Sequence, residues 1–342
     1  MKYTEYLARR LIMIVFTILG LSILIFFIAR VLPGDPARLA LGPEASEAQV
    51  ERLRELLGLN KPLYIQYFDY VLRLIQGDWG LSLLTWRNTL YDILDRLPAS
   101  IELTTIALGF AVIVGVPIGV LAGVNKDKKT DYISRTFALT GLSFPRFFVG
   151  ILLQVFVYFC VAQFLDWPIS GRIGTKPPVR ITGFYLIDSL ITGNLRAFVS
   201  AVQHIVLPAF TLSLASIAQI ARLTRAGIIE QYRKDYILQA KALGIPENLI
   251  IYKYMLKNAF TSVLTIIGLL YGFLIGNAFM VETVFVWPGL GYYGVRALLF
   301  KDLNAIVGVV ITIGIIYAFV NLIVDLLYGY IDPRIRYGEE VR

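Results

Sequence analysis

The sequence predicts an all-α integral membrane protein with six transmembrane helices. Hydrophobic residues make up 57% of its 342 residues and charged residues only 16%, against about 45–50% and about 25% in ordinary soluble domains. Six apolar segments approach the length of about 20 residues with which a helix crosses about 30 Å of hydrocarbon. The net charge of +8 does not indicate nucleic-acid binding, because the basic residues cluster in loops that flank these segments, as membrane topology requires.

The predicted spans follow one another from the N-terminus, and the fourth is the shortest. The first follows Arg9 and Arg10 and so resembles a signal peptide. Its apolar core exceeds the usual length of about 7–15 residues, however, and no small-residue cleavage site follows, so we expect a retained span. The six spans comprise residues 11–29, 103–124, 147–165 with a lead-in from 133, 205–221, 260–281 and 303–324.

Lysine and arginine in the short loops predict the orientation of the chain. With six spans, the basic residues of the N-terminus, the second, fourth and final loops all fall on one side, which is expected to be cytoplasmic. Both termini are then cytoplasmic, and the protein belongs in the cytoplasmic membrane. The expected parts are residues 1–32 (N-terminus and first span), 33–98 (an extracytoplasmic insertion), 99–330 (a five-helix core with a cytoplasmic loop at 222–258) and 331–342 (a cytoplasmic tail).

The insertion is expected to be helical. Ser46 and Gln49 form a capping box and Gly58 is a stop, which predicts a helix from Glu47 to Leu57. A second helix is predicted after Pro62, with an apolar face that indicates a helix lying on a membrane surface or on the protein core. Its role is either a structural cap over the spans or a landing surface for a soluble delivery protein. The apolar face consists of Ile65, Phe68, Leu72 and Ile75.

The segment around Gly244 predicts a helix, a sharp turn and a second helix. From Leu223 the chain is expected to be helical to about Leu243, where Gly244 supplies the left-handed conformation that ends a helix. Pro246 suits the first position of the next helix, and an acid follows at its positive start. This elbow is either an ordinary connector or a docking surface for a cytoplasmic partner, with Ile245, Leu249 and Ile250 available for apolar contact.

Residue types that catalysis would need are scarce. No Gly-Lys dipeptide occurs, so the chain cannot form a phosphate-binding loop of the GxxxxGK[ST] kind. His204 and Cys160 are each the only residue of their type, which excludes two-histidine zinc motifs, a cysteine metal cage and an internal disulfide. We expect no catalytic residue, no metal and no cofactor bound by this chain.

Small and ionisable residues inside the spans are candidates for helix packing or for a translocation path. Glycines recur every fourth residue in the second and fifth spans, which indicates close helix packing, or a face that slides or lines a path. Arg146 is expected to face protein or water, because charge at the bilayer centre is costly. It either lies on the path, sits near the inner interface or pairs with an acid. The path candidates are Arg146, Gly272, Gly276 and Glu282, of which Glu282 also suits a helix end or a subunit contact.

Short motifs occur in a fixed order along nearly the whole chain. In number, order and spacing they resemble the membrane subunits of bacterial ABC importers, in particular the dipeptide and oligopeptide permease family, whose cytoplasmic coupling loop is called the EAA loop. The motifs are Leu32-Pro33-Gly34-Asp35-Pro36, Leu57-Gly58-Leu59-Asn60-Lys61-Pro62-Leu63, Gly77-Asp78-Trp79-Gly80, Arg96-Leu97-Pro98-Ala99-Ser100, Ser170-Gly171-Arg172, Ala221-Arg222-Leu223-Thr224-Arg225, Trp287-Pro288-Gly289-Leu290-Gly291, Val324-Asp325-Leu326-Leu327-Tyr328 and Asp332-Pro333-Arg334-Ile335-Arg336.

The likeness has one departure in the loop itself. Where the general importer motif has Glu-Ala-Ala before its glycine, this chain has Leu238-Gln239-Ala240, and Asp235 is the nearest upstream acid. This leaves the role of any single acid in the loop open. The residues that the resemblance assigns to coupling are Asp235, Gln239, Ala240, Gly244, Ile245, Pro246, Glu247 and Leu249.

The resemblance implies a type I ABC importer fold and a pore-forming subunit that moves dipeptides or oligopeptides by alternating access. The implied partners are a second homologous permease chain, two cytoplasmic ATPases that use ATP and Mg, an extracytoplasmic substrate-binding protein and membrane lipid. Nickel, glutathione and oligosaccharides are alternative cargoes within the family. A secondary transporter driven by an ion gradient is a rival, but it would need buried carboxylates near the midplane of several spans.

Overall fold

The structure, a computed structural model, describes residues 3–31, 36–42, 45–56 and 59–331. Within these ranges the chain is almost entirely helical, and one isolated antiparallel bridge joins Leu81 to Asn88. The motif at 32–35 and the tail beyond Ile331 lie outside the described residues. The described helices are α1 (Tyr3–Val31), α2 (Pro36–Leu41), α3 (Glu47–Leu56), α4 (Leu63–Ile75), α5 (Thr89–Val124), α6 (Lys129–Ser143), α7 (Arg146–Cys160), α8 (Ala162–Leu165), α9 (Tyr185–Ile191), α10 (Leu195–Tyr232), α11 (Asp235–Ala242), α12 (Glu247–Leu249), α13 (Lys257–Val284), α14 (Leu290–Leu299) and α15 (Leu303–Ile331), with a π-helical segment at Ile250–Leu256.

Five of the six predicted spans are confirmed as long apolar helices. They lie in α1, α5, α10, α13 and α15, and the sixth candidate is the bent pair of α6 and α7. The sequence had indicated that the fourth span is the shortest, and this is wrong. It belongs to α10, which has 38 residues and extends beyond the predicted run 205–221 at both ends. The side chain of Asn194 caps its start and accepts the amide of Ala197.

The third span differs from its prediction. Residues 147–165 do not form one helix, because α7 ends at Cys160 after 15 residues, about 22 Å at 1.5 Å per residue. The chain bends by 105° between α6 and α7, where Phe144 and Pro145 adopt extended backbone angles. Proline at this position disfavours a helical conformation of the residue before it, which accounts for the break.

Glycines in the second span pack α5 tightly onto α10. A Cβ added to Gly115 would lie 2.9 Å from the carbonyl oxygen of Ile217, and one added to Gly119 would lie 2.5 Å from Cβ of Thr224. Gly123 meets α10 in the same way. This confirms the helix-packing interpretation for the stripe, since any larger side chain would push the two helices apart.

The insertion contains the two predicted helices. The capping box of α3 is confirmed, because the amide of Gln49 donates to Oγ of Ser46 at 3.4 Å while the amide of Ser46 donates to Oε1 of Gln49 at 3.0 Å. Its predicted stop, Gly58, lies outside the described residues. Helix α4 follows at Leu63 as predicted.

The apolar face predicted for α4 does not pack on the protein core. Phe68 is 64% exposed and Ile75 is 77% exposed, because the opposite side of α4 meets α1. There the ring centroid of Tyr67 lies 5.4 Å from that of Phe26, and the buried Gln66 donates to the carbonyl oxygens of Leu59 and Lys61. Packing of this face on the described core of the chain is therefore excluded.

Candidate functional site

The predicted coupling loop forms a compact elbow at one end of the helical bundle, called the loop end below. The expected continuous helix from 223 to 243 is wrong, since α10 ends at Tyr232 and Lys234 adopts an extended conformation before α11 begins at Asp235. Helix α11 is therefore a separate body, joined to α10 by a two-residue break.

Gly244 ends α11 in the way that its sequence predicts. Its φ of +70° is left-handed, and the chain closes the helix with a hydrogen bond from the amide of Ile245 to the carbonyl oxygen of Ala240, at 3.2 Å. Pro246 is the capping residue of α12 and not its first helical residue, which corrects the prediction; its carbonyl oxygen accepts the amides of Leu249 and Ile250. From Glu247 the backbone continues through the π-helical segment into α13.

One face of the elbow is buried against the spans. Ile237, Ala240 and Ile250 are buried and pack in an apolar cluster with Ile228 of α10 and Met255 of the π-helical segment. The expectation that Ile250 is available to a partner is therefore wrong, and Ala240 likewise serves packing inside the chain. Ala240 lies one turn after Ile237 on the same face of α11, and Ile250 reaches the same cluster from the start of the π-helical segment.

The other face of the elbow is exposed. Asp235, Gln239, Gly244, Pro246, Glu247 and Leu249 lie on it, and Ile245 is half-buried. Sequence reasoning missed three further apolar residues here, Leu238, Leu243 and Tyr252, of which Leu243 is 72% exposed. The signal that could have found Leu238 and Leu243 is that both fall off the helical period of Ile237 and Ala240.

Hydrogen bonds hold the elbow to the helices on either side. Tyr236 donates its hydroxyl to Oε1 of Gln231 at 2.5 Å and accepts the side-chain amide of Asn258 at 3.0 Å. Lys241 donates to the hydroxyl of Tyr232 at 2.6 Å. The elbow is thus tied to α10 and to the start of α13.

An ion pair with a buried carboxylate lies between α6 and α10 at the loop end. Nε of Arg225 lies 2.6 Å from Oδ1 of Asp131, and its Nη2 lies 2.7 Å from Oδ2. The amide of Asp127 adds a third donor at 3.0 Å. The sequence motif had drawn attention to Arg225, but its buried partner Asp131 was missed, because the two residues lie far apart along the chain.

Glu282 does not line a surface. It is fully buried, and its carboxylate accepts the hydroxyl of Ser100 at 2.6 Å and the amide of Tyr292 at 3.0 Å. Ser100 in turn accepts the amide of Leu290. This arrangement places a carboxylate at the positive start of α14, so the helix-end interpretation of Glu282 holds and its assignment to the translocation path is corrected.

The other path candidates lie in different surroundings. Gly272 packs against α15, since a Cβ there would lie 2.8 Å from the ring of Tyr317, whereas nothing lies within 4 Å of a Cβ on Gly276. Arg146 is the first residue of α7 and lies 4.8 Å from the ring centroid of Phe273. Its Nη1 is buried without a hydrogen-bond partner.

The opposite end of the bundle is fastened by buried charges. Arg172 lies 2.6 Å from Glu102 and donates to the carbonyl oxygen of Gly183 at 2.8 Å. The second oxygen of Glu102 accepts the amide of Leu186 at 2.8 Å, and the guanidinium of Arg172 stacks over Tyr185. The motif Ser170-Gly171-Arg172 had marked the arginine, but nothing in the sequence identified its partner.

Three further carboxylates are buried at this opposite end. Asp92 accepts hydrogen bonds from Arg96 and Tyr293, and Asp302 accepts one from Ser82 at 2.6 Å. Burial, with the two acids nearby, raises the pKa of Tyr293 to about 12.

Asp188 accepts hydrogen bonds from the backbone and side chain of Thr182 and from further amides. In the part of the chain that is described, no group of three or more potential ligands could hold a metal ion.

The chain is similar to known proteins over nearly its whole length. Residues 115–337 match the family described as "Binding-protein-dependent transport system inner membrane component", and residues 3–104 match the family described as its N-terminal membrane component. The chain is 40% identical over 340 residues to the probable D,D-dipeptide transport system permease protein DdpB of Escherichia coli (strain K12), covering 99% of each chain.

Two further relatives are similar over nearly their full length. The dipeptide transport system permease protein DppB of Alkalihalophilus pseudofirmus is 39% identical, with 97% of this chain and 99% of the relative covered. The glutathione transport system permease protein GsiC of Escherichia coli (strain K12) is 36% identical with the same coverage.

Proposed function

Since the chain belongs to the family of inner-membrane components of binding-protein-dependent transport systems, we propose that it is the pore-forming permease subunit of an ATP-driven importer of dipeptides or oligopeptides. The names of the relatives, with dipeptide permeases at 39–40% identity over nearly the full chain, support this cargo. Glutathione, the cargo in the name of GsiC, is the alternative. Nickel and oligosaccharides have no support among these relatives.

The observation that carries the proposal is the two-sided elbow. One side is anchored by Ile237 and Ile250 inside the chain, and the other presents Leu238, Leu243 and Leu249 to its surroundings. Burying an aliphatic side chain contributes about 1.5–3 kcal/mol, so three such residues suit a reversible protein contact. The chain has no phosphate-binding loop of its own, so ATP hydrolysis with Mg belongs to separate subunits.

In this proposal, two cytoplasmic ATPases hold the elbow of this chain and that of a second homologous permease subunit. When they close on ATP, the elbow moves as a rigid body with the start of α13 and the end of α10. The spans then switch between inward-open and outward-open states, and an extracytoplasmic binding protein delivers the substrate. Both termini and the elbow lie on the cytoplasmic side of the inner membrane, as the basic loops favour.

Reconstitution of the whole complex tests this function. Gly244→Asp is expected to leave the subunit folded, because nothing lies within 4 Å of a Cβ there and aspartate tolerates the left-handed φ of +70° at a local cost of about 1–3 kcal/mol. It should weaken retention of the ATPase subunits and substrate-stimulated ATP hydrolysis. Gly193→Asp is the matched control, with a φ of +66° and an equally open surrounding, and should retain both.

Normal stimulated hydrolysis in Gly244→Asp would contradict the coupling role. Peptide uptake that follows an ion gradient without ATP would contradict the importer itself.

A further inference from the structure

The break between α6 and α7 places a cation in an unusual position. Phe144 and Pro145 are extended, so that α7 starts abruptly at Arg146, after a bend of 105°. The first amides of a helix have no partner inside that helix, and its start carries partial positive charge. Arg146 therefore adds a full charge to an end of α7 that is already positive.

The neighbours of Arg146 place this helix start at the level of the middle of the apolar span in α13. The guanidinium of Arg146 lies over Phe273, which is near the middle of the apolar span Ile266–Val284. One turn further along α7, a Cβ on Gly150 would touch Phe285, just past the end of that span. Helix α7 thus runs from the middle of the membrane towards the Val284 end.

Within the described residues, no carboxylate compensates the charge of Arg146, and the ring of Phe273 supplies only a weaker cation–π contact. Among the residues whose side chains the structure describes, none forms an ion pair or a hydrogen bond with its guanidinium, and Nη1 is buried without a partner. A charged side chain at this depth is costly unless it meets an anion or water. The alternative that Arg146 pairs with an acid is therefore not realised in the described part of this chain.

The surface beside Arg146 is open. Phe273, Gly276 and Met280 fall on one exposed face of α13, and Arg146 is itself partly exposed. A lipid phosphate is a poor candidate for the missing anion, because headgroups lie outside the hydrocarbon core. An anion that travels through the protein can reach this depth.

We propose that Arg146 binds the C-terminal carboxylate of the peptide while it crosses the membrane. A guanidinium matches a carboxylate in a two-pronged hydrogen bond, and the starts of half-helices inside transporters suit anionic substrate groups. The inference rests on the proposed peptide import and adds a specificity-determining residue to it.

Transport by the complete complex in proteoliposomes tests the inference. The substrates are a dipeptide and its C-terminal amide, each supplied at a concentration that saturates the isolated binding protein, so that its own preference does not enter. Arg146→Gln is expected to lower transport of the free acid about tenfold, because glutamine can keep only one of the two hydrogen bonds to the carboxylate, and to leave transport of the amide nearly unchanged. Arg146→Lys should give an intermediate loss. Arg135→Gln, an exposed arginine of α6, is the control and should leave both rates unchanged.

Each other outcome has a distinct meaning. The inference is overturned if Arg146→Gln lowers transport of the acid and of the amide by the same factor. It is also overturned if the variant transports both at the wild-type rate. If Arg146→Gln fails to assemble, Arg146→Lys decides, and an unchanged KM for the free acid then overturns the inference. A wild-type complex that transports neither peptide contradicts the proposed function itself.

Discussion

The two ends of the bundle are held together by different physical means. At the loop end, the elbow is anchored by aliphatic side chains around Ile237, with one buried ion pair nearby, Asp131 with Arg225. At the opposite end, buried carboxylates accept hydrogen bonds from neighbouring segments. These acids are Asp92, Glu102, Asp188, Glu282 and Asp302.

In the proposed mechanism, this difference separates an end that moves from an end that stays fixed. Apolar contacts are not directional, so a packed elbow keeps its shape while its position relative to other segments changes. Buried carboxylates depend on donors at fixed distances, and losing one donor leaves a charge unpaired. The opposite end is thus a frame, and the loop end is the part suited to transmit a displacement.

The largest effect is expected from the frame. Arg172→Met leaves Glu102 buried without its ion-pair partner, and breaking such a pair costs about 3–5 kcal/mol. The thermal unfolding temperature of the purified complex should fall markedly. The double variant Glu102→Leu with Arg172→Met should recover part of the loss, because no unpaired charge remains. A double variant as unstable as the single one would show that the pair is not what stabilises this end.

At the loop end, two neighbouring residues separate packing from docking. Ile237 is fully buried and Leu238 is 60% exposed. Ile237→Ala should cost about 2–5 kcal/mol, as a large-to-small change in a packed core does, and should lower the unfolding temperature of the isolated subunit. Leu238→Ala should leave that temperature unchanged and weaken retention of the ATPase subunits. The same loss of stability in both variants would remove the distinction between the two faces.

A smaller loss of stability is expected when the pH is lowered, and it arises from Asp188 at the opposite end. Burial alone would raise the pKa of Asp188, but hydrogen bonds from Thr182, Gly183 and Ile181 outweigh it and lower the pKa. Because the folded pKa lies below the unfolded one, the stabilisation is complete above about pH 4 and is lost as the pH falls through the folded pKa.

Asp188→Asn tests the direction of this pKa shift. The variant should unfold at a lower temperature than the wild type at about pH 7. This difference in unfolding temperature should become smaller as the pH falls towards about 3. Unfolding temperatures of the two purified proteins across this range provide the measurement. A gap that widens in acid would mean that the folded protein does not favour the ionised carboxylate.

Local sequence signals predicted much of the fold. The capping box at Ser46, the left-handed turn at Gly244 and the packing of Gly115 and Gly119 each depend on a few neighbouring residues, and the structure agrees with all of them. The broken third span was missed even though Pro145 stands at the break, because a long apolar run on both sides outweighed a single residue in the prediction.

The parts of the candidate site that sequence could not give depend on tertiary contacts. Glu102 with Arg172 and Asp131 with Arg225 join segments about 70 and about 94 residues apart, and no local pattern pairs them. The same limit explains why the surroundings of Glu282 could not be predicted. Its position at the end of a span gave no sign that the start of α14 would surround it.

Site-specific photo-crosslinking at the elbow tests the central claim most directly. A photoreactive residue replaces Leu243, which is 72% exposed at the end of α11, and a matched one replaces Leu299, which is 76% exposed at the end of α14. If force enters through the elbow, Leu243 should crosslink to an ATPase subunit in a manner that changes with ATP, and Leu299 should not. Crosslinks to the ATPase from Leu299 alone, or from neither position in an active complex, would contradict the account.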